Sequence, residues 1–174
     1  MSQLKELMQR YDRLLRQSIG DHAAVLQLVS EFRKSTLDLK NSPREINEEL
    51  SSMINKMDKK RLDLLLIAAS ANPSPEYVEN LCALLEMQDQ TLPNEQIVDL
   101  LYVIRSPKAV PYLEKARLLK LPHDEYDEFA VKCLDALAVI DTTEGWAAVQ
   151  AAAASSSPRI KEHAKELLGW RKLG

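Results

Sequence analysis

The chain has 174 residues and a formal net charge of −3, with 45% hydrophobic and 28% charged residues. This balance is typical of a folded protein and argues against disorder, and its acidic sign gives no overall attraction to nucleic acid or to an anionic membrane. Only 5% of the residues are aromatic and only four are glycine, so the composition favours helix nearly throughout.

Membrane insertion and secretion are not expected from the sequence. The longest apolar runs, such as residues 64–69, are far shorter than the roughly 20 residues that a membrane span needs. Residues 1–20 carry charges throughout, whereas a secretion signal has an apolar middle. We therefore expect a cytoplasmic protein. Cys82 and Cys133 lie within apolar helical patterns, so we expect two reduced core thiols rather than a disulfide.

The first third of the chain shows three helical patterns without a clear repeat. Apolar residues follow helical spacing over residues 2–19, and Asp21 has the chemistry of an N-cap for a second helix. Ser42 is the expected cap of a third. We expect residues 1–58 to form an irregular helical cap, although Leu26 lies 36 residues before Leu62 and leaves a degenerate repeat unit open.

A nine-residue phrase recurs every 36 residues in the rest of the chain. The three copies read LDLLLIAAS from Leu62, VDLLYVIRS from Val98 and LDALAVIDT from Leu134. A fixed period of this size is typical of a stacked array of small helical units. We therefore expect residues 59–174 to form such a stack, which makes one structural domain together with the N-terminal cap.

Each predicted unit joins a strongly apolar first helix to a second helix with a sparser apolar stripe. The predicted first helices are 62–71, 93–105 and 125–140, and the second helices begin near residues 77, 110 and 143. A last helix from Pro158 is expected to act as a lid over the third unit. Because the first helices are apolar almost all round, we expect neighbours to cover them on several sides. The second helices keep one face free, which favours them as the recognition surface.

Two groups of residues are candidates for that surface. On the second helices they are Tyr77, Asn80, Tyr112 and Lys115, because tyrosines and long polar side chains often anchor protein interfaces. A half-buried tyrosine in a small fold is equally common, so the structural alternative stays open.

The second group is an acidic cluster at the expected start of a helix. It contains Asp124, Glu125, Tyr126, Asp127 and Glu128, four carboxylates and one aromatic ring within five positions. Acids at a helix N-terminus are stabilised by the helix dipole, by about 0.3 to 1 kcal/mol each. Four adjacent acids also repel one another, so contact with a basic partner explains the cluster equally well. Both interpretations stay open.

The residue patterns of common catalytic, metal and nucleotide sites are missing. His22, His123 and His163 stand alone, without partners at metal-ligand spacing, and His163 is expected at the surface. No glycine-rich loop follows a strand, and the serines at 155–157 lack the surroundings of a nucleophile. We expect no enzymatic activity, no metal and no cofactor.

Two phrases carry a family resemblance. SPKAVPYL at residues 106–113 follows an apolar helix and resembles the turn and second helix of HEAT-like repeats, and TTEGWAAV at residues 142–149 resembles it again. The resemblance covers roughly residues 59–170. It implies an all-α fold, in which HEAT-like helix pairs form a short right-handed superhelix. The insertion at residues 72–75 and the N-terminal third depart from the pattern.

Such an array usually binds a protein partner. A small, acidic, all-helical chain is similar to immunity proteins, which neutralise a bacterial toxin, often a nuclease with a basic active site, by covering it. We therefore expect a protein-binding module whose partner is a basic toxin domain. This similarity concerns size, charge and fold, and no motif in the chain carries it.

Nucleic-acid binding is the main alternative, because some DNA glycosylases are also built from HEAT-like repeats. It would use the basic residues of the middle unit, which are Arg105, Lys108, Lys115, Arg117 and Lys120. The overall acidic balance disfavours it. A role on a bilin-bearing protein rests on repeat similarity alone and ranks last.

Overall fold

The computed structural model describes residues 3–39, 42–56 and 61–172. Every regular element among these residues is helical, which confirms the predicted all-α class. The α-helices are α1 (Gln3–Gln17), α2 (His22–Leu37), α3 (Ser42–Lys56), α4 (Leu62–Ala71), α5 (Val78–Glu86), α6 (Asn94–Ile104), α7 (Val110–Ala116), α8 (Glu128–Ile140), α9 (Thr143–Ala152) and α10 (Pro158–Arg171). None of the described helices is both long and apolar enough to cross a membrane.

Side-chain caps explain where three of these helices begin. Asp21 Oδ1 accepts a hydrogen bond from the backbone N–H of Ala24 at 3.0 Å, as predicted for α2. Thr142 Oγ1 accepts one from the N–H of Gly145 at 3.0 Å and starts α9. Ser157 caps α10 in the same way. Each cap satisfies an N–H group that has no partner inside its own helix.

The 36-residue period is visible in the backbone of α6 and α8. Their C-terminal caps are Arg105 and Asp141, which are 36 residues apart and both have a φ of 57°. A residue in this left-handed region ends a helix sharply and directs the chain into the following turn. Val98 and Leu134, the first residues of two copies of the phrase, are both buried. The repeat therefore corresponds to a repeated local structure.

The chain forms two compact units, Met1–Asn80 and Leu81–Gly174. In the first unit α4 packs against α2 and α3, and α1 packs against the same three helices. The expected end of the cap at residue 58 lies outside the described residues. The sequence assigns α4 to the repeat stack, but in the structure α4 completes the core of the first unit.

In the second unit α6, α8 and α10 form a row of neighbouring helices, and α7 and α9 pack behind it. Because α8 contacts α6, α7, α9 and α10, it is covered on most sides. Phe129, Cys133, Leu134 and Leu137 on this helix are fully buried. Both cysteines are buried and free, as expected, and burial raises the pKa of the Cys133 thiol.

Two expectations about the first helices are wrong. Helix α8 begins at Glu128 rather than at Glu125, because Asp127 has a φ of 58° that does not fit a helix. Helix α6 is not covered all round, since Tyr102 is 41% and Val103 is 55% exposed. The pattern, apolar almost all round, indicated neighbours on several sides, but α6 has a neighbour within the row on one side and leaves its C-terminal turn open to solvent.

Candidate functional site

Ion pairs across the row of α6, α8 and α10 show that these helices run parallel. Lys132 Nζ on α8 lies 2.9 Å from Asp99 Oδ2 and 3.3 Å from Glu95 Oε2 on α6. At the start of α8, Glu128 Oε1 pairs with Arg159 Nε at the start of α10, 3.0 Å away. Like ends of the three helices therefore lie together. Burial alone would lower the pKa of Lys132, but hydrogen bonds and charges from Asp99 and Glu95 outweigh it and raise that pKa.

The other end of the same row contains an open groove of about 310 Å³. Its lining comes from four helices and consists of Tyr102, Asp135, Ala138, Val139, Trp146, Leu167, Trp170 and Arg171. Both tryptophans of the chain line it. Tyr102 and Trp170 are 41% and 64% exposed, so the two rings form an accessible rim. Two exposed aromatic rings beside an apolar groove make this surface a candidate interaction site.

Trp146 forms the floor of the groove and is held in three ways. Its Nε1 donates a hydrogen bond to Asp141 Oδ1 at 2.6 Å. The guanidinium of Arg171 lies over its ring, 4.7 Å from the centroid. The preceding Gly145 lets α9 approach α8 so closely that a β-carbon there would lie 2.9 Å from the carbonyl oxygen of Leu137. These contacts hold the indole ring in place at the groove.

A row of three carboxylates borders the groove on the side of the helix N-termini. Asp99 precedes Tyr102 by three residues, Asp135 precedes Val139 by four, and Glu166 precedes Trp170 by four. Residues at these spacings lie one above the other on a helix. Each of the three parallel helices therefore places one acid a single turn before its groove residue. His163 Nε2 contacts Asp135 Oδ1 at 2.6 Å, so this histidine is mostly buried between helices and not at the surface as expected.

Tyr77 does not lie on an accessible face, which corrects its place among the candidate binding residues. It is fully buried, and its hydroxyl donates to the carbonyl oxygen of Asn72 at 2.8 Å. Burial raises the pKa of this hydroxyl far above its ordinary value. Tyr77 lies in a short 3₁₀ turn (Pro75–Tyr77) just before α5, and this turn packs against α3. The sequence pattern could not reveal this burial, because it does not show which neighbours pack there.

Asn80 is part of a polar network inside the first unit. Its Nδ2 donates to Asn47 Oδ1 at 2.7 Å and to Ser51 Oγ at 3.0 Å. Asn80 is half-buried, and these bonds use its donor group. Its role in the structure is to join α5 to α3.

Tyr112 and Lys115 remain accessible on α7. Tyr112 is half-buried and Lys115 is exposed. The ammonium group of Lys115 forms an ion pair with Glu86. These two residues do not lie in the groove, which contains residues of α6, α8, α9 and α10.

The acidic cluster lies in the turn before α8 and is largely neutralised within the chain. Asp124 accepts hydrogen bonds from the N–H groups of Glu128 and Phe129 at 2.8 and 2.9 Å, and so caps the helix. Asp127 forms an ion pair with Lys120, and it also accepts a hydrogen bond from the hydroxyl of Ser157.

The hydrogen bonds from Lys120 and Ser157 lower the pKa of Asp127. Glu128 pairs with Arg159 on α10. Glu125 has no ion-pair partner among the described residues, and Tyr126 is 72% exposed. These two are the members that a partner could reach directly.

The residue pattern did not reveal the groove. Trp146 and Trp170 lie in apolar helical stripes, and Tyr102 lies in one copy of the repeat phrase. The scarcity of aromatic residues was an available signal, because three of the nine aromatic rings meet here. Their convergence from three different helices could not be read from spacing.

No protein-family model, curated protein or solved structure matches the chain.

Proposed function

We propose that this chain is a non-enzymatic protein-binding module and that the groove between α6, α8 and α10 is its binding site. The observation that supports this most strongly is the meeting of both tryptophans, Tyr102 and Arg171 in one open groove. Tryptophan, tyrosine and arginine are the side chains that most often dominate binding energy at protein interfaces. The site differs from the face of second helices that the sequence favoured.

We also propose a finer assignment within this class. The parallel row of first helices with α7 and α9 behind it supports a HEAT-like arrangement, and the size and acidic charge support an immunity protein that acts in the cytoplasm on a basic toxin. The nucleic-acid alternative gains no support, because Lys115 and Lys120 of the basic group are paired with carboxylates.

Affinity purification from the native host tests the groove. The full chain serves as bait beside a groove variant, Tyr102→Ala with Trp170→Ala, and a matched control, Leu118→Ala with Tyr126→Ala. Both substitutions in the control remove large side chains, which are 65% and 72% exposed. We expect wild type and control to retain a protein that the groove variant loses. Loss only in the control would move the site to the acidic turn instead.

A second experiment tests the immunity role on the captured protein. Expression of that protein alone should arrest bacterial growth, and co-expression of the full chain should restore it. Co-expression of the groove variant should not restore growth. A captured protein that is harmless to cells would exclude the immunity role but leave the binding function standing.

A further inference from the structure

We infer that the groove receives a partner segment in which an apolar side chain is followed by a lysine or arginine, so that the apolar group fills the groove and the cation meets the bordering carboxylates. This inference rests on the proposed function and specifies the chemistry of the occupant.

The wall of the groove favours an apolar occupant because most of its surface is apolar. Trp146 Nε1 donates to Asp141, one carboxylate oxygen of Asp135 contacts His163, and the Arg171 guanidinium lies on the Trp146 ring. A polar group brought against the apolar wall would lose its water without gaining a hydrogen bond there. The remaining surface consists of aromatic rings and of the aliphatic side chains of Val139 and Leu167.

The size of the groove favours side chains of a larger partner over a separate small molecule. Its volume of about 310 Å³ is at the lower limit of the roughly 300 to 1,000 Å³ that small-molecule pockets have. The groove is bounded by the exposed rings of Tyr102 and Trp170, which an inserted side chain can contact. One or two apolar side chains of a protein segment match these dimensions.

The carboxylate row decides the charge of the neighbouring residue. Asp99 and Glu166 have side chains that are 57% and 61% exposed, and Asp135 lies between them. Lys132 forms an ion pair with Asp99, and His163 contacts both Asp135 and Glu166. The charge of Arg159, which pairs with Glu128, also interacts with Asp135 and Glu166. The row keeps a net negative charge, which attracts a cation and repels the phosphates of a nucleic acid.

The charge of the second unit also disfavours a second copy of the chain as the occupant. This unit contains 14 acidic and 11 basic residues, whereas the first unit contains 12 of each. The whole net charge of −3 therefore belongs to the unit that carries the groove. Self-association through this face would bring two net negative units together, whereas a basic partner would be attracted.

Selection from a random dodecapeptide display library on the full chain tests the inference. The Trp170→Ala chain serves for counter-selection, and the enriched peptides are then synthesised and titrated by fluorescence polarisation. We expect peptides that pair an apolar residue with lysine or arginine, and we expect Trp170→Ala to weaken their binding by about tenfold or more. Trp170 is largely exposed, so this variant should fold normally.

A pair of charge variants tests the carboxylate row itself. Asp99→Asn with Glu166→Gln should weaken the selected peptides by about threefold at low salt, and the difference should shrink as salt is raised. Glu114→Gln with Glu144→Gln removes the same charge from α7 and α9 and should leave binding unchanged. These two control residues have no ion-pair partner among the described residues.

Three results would overturn the inference. In the first, the selected peptides depend on Trp170 but contain no excess of lysine or arginine. In the second, no selected peptide depends on Trp170. In the third, the two charge variants bind the selected peptides with equal affinity. A dimer in sedimentation that Trp170→Ala dissolves would assign the groove to a second copy instead. The proposed function fails separately, if the protein captured from the host binds the groove variant as well as it binds wild type.

Discussion

A β-carbon on Gly145 would lie 2.9 Å from the carbonyl oxygen of Leu137, closer than such atoms approach in folded proteins. The start of α9 therefore touches the backbone of α8 at a point where only glycine fits. This contact sets the position of the next residue, Trp146, which forms the floor of the groove. A small residue thus controls the geometry of the candidate binding site without lining it.

Replacing each of two helical glycines, Gly145 and Gly169, by alanine should separate the effect of close packing on stability from the effect of helix propensity. We expect Gly145→Ala to lower the free energy of unfolding by about 1 to 3 kcal/mol, because α9 must move away from α8. Gly169→Ala is the matched control, since nothing lies within 4 Å of the added carbon and the site is in a helix. It should raise stability by about 0.5 to 1 kcal/mol. Urea unfolding measures both, and an equal effect of the two changes would contradict the contact.

The buried face of α6 should be sensitive to the loss of side-chain volume. Leu101 is fully buried, so Leu101→Ala should lower the free energy of unfolding by about 2 to 5 kcal/mol through lost burial and a residual cavity. Leu118 is 65% exposed, and Leu118→Ala removes the same atoms from the surface. We expect a change within about 0.5 kcal/mol there. Thermal or urea unfolding of the two variants tests the burial pattern, and similar losses would refute it.

The network around Asn80 should contribute to stability and not to partner binding. Asn80→Ala leaves Asn47 and Ser51 without their shared donor, at a cost of about 1 to 3 kcal/mol. Asn55→Ala changes an exposed residue of α3 and should be nearly neutral. Urea unfolding and the affinity for a captured partner are measured together. If Asn80→Ala had normal stability but bound the partner poorly, Asn80 would be a binding residue.

The ion pair between Asp127 and Lys120 should make stability depend on acid pH. The pKa of Asp127 is lowered from 3.8 by hydrogen bonds from Lys120 and Ser157, so its contribution is present above that value. It is lost as the pH falls through the lower pKa of the folded state. Asp127→Asn keeps a residue that tolerates the positive φ, and should cost about 1 kcal/mol at neutral pH.

The measurement for Asp127 is the difference in unfolding free energy between wild type and Asp127→Asn. This difference should shrink from about pH 5 towards about pH 2 as the wild-type carboxylate gains a proton. Groups that the two proteins share cancel in the comparison. If the difference in unfolding free energy stayed constant over the whole acid range, the charge of Asp127 would not contribute to stability.

The sequence by itself determined the local structure of the chain. Asp21 was recognisable as a helix cap because capping depends on atoms within three residues, and Thr142 and Ser157 have the same chemistry at the starts of α9 and α10. The 36-residue period identified the repeated helices, and its backbone counterpart is the shared conformation of Arg105 and Asp141. The burial of Cys82 and Cys133 followed from their apolar neighbours in sequence. All these features depend on short-range patterns.

Only the tertiary structure decided which surfaces stay open. The burial of Tyr77 depends on how the turn before α5 packs against α3. The exposure of Tyr102 depends on where the row of first helices leaves α6 uncovered. The groove joins residues from four helices, up to 69 positions apart between Tyr102 and Arg171. Helical periodicity reveals that a face is apolar, but contacts between distant helices determine whether that face is covered.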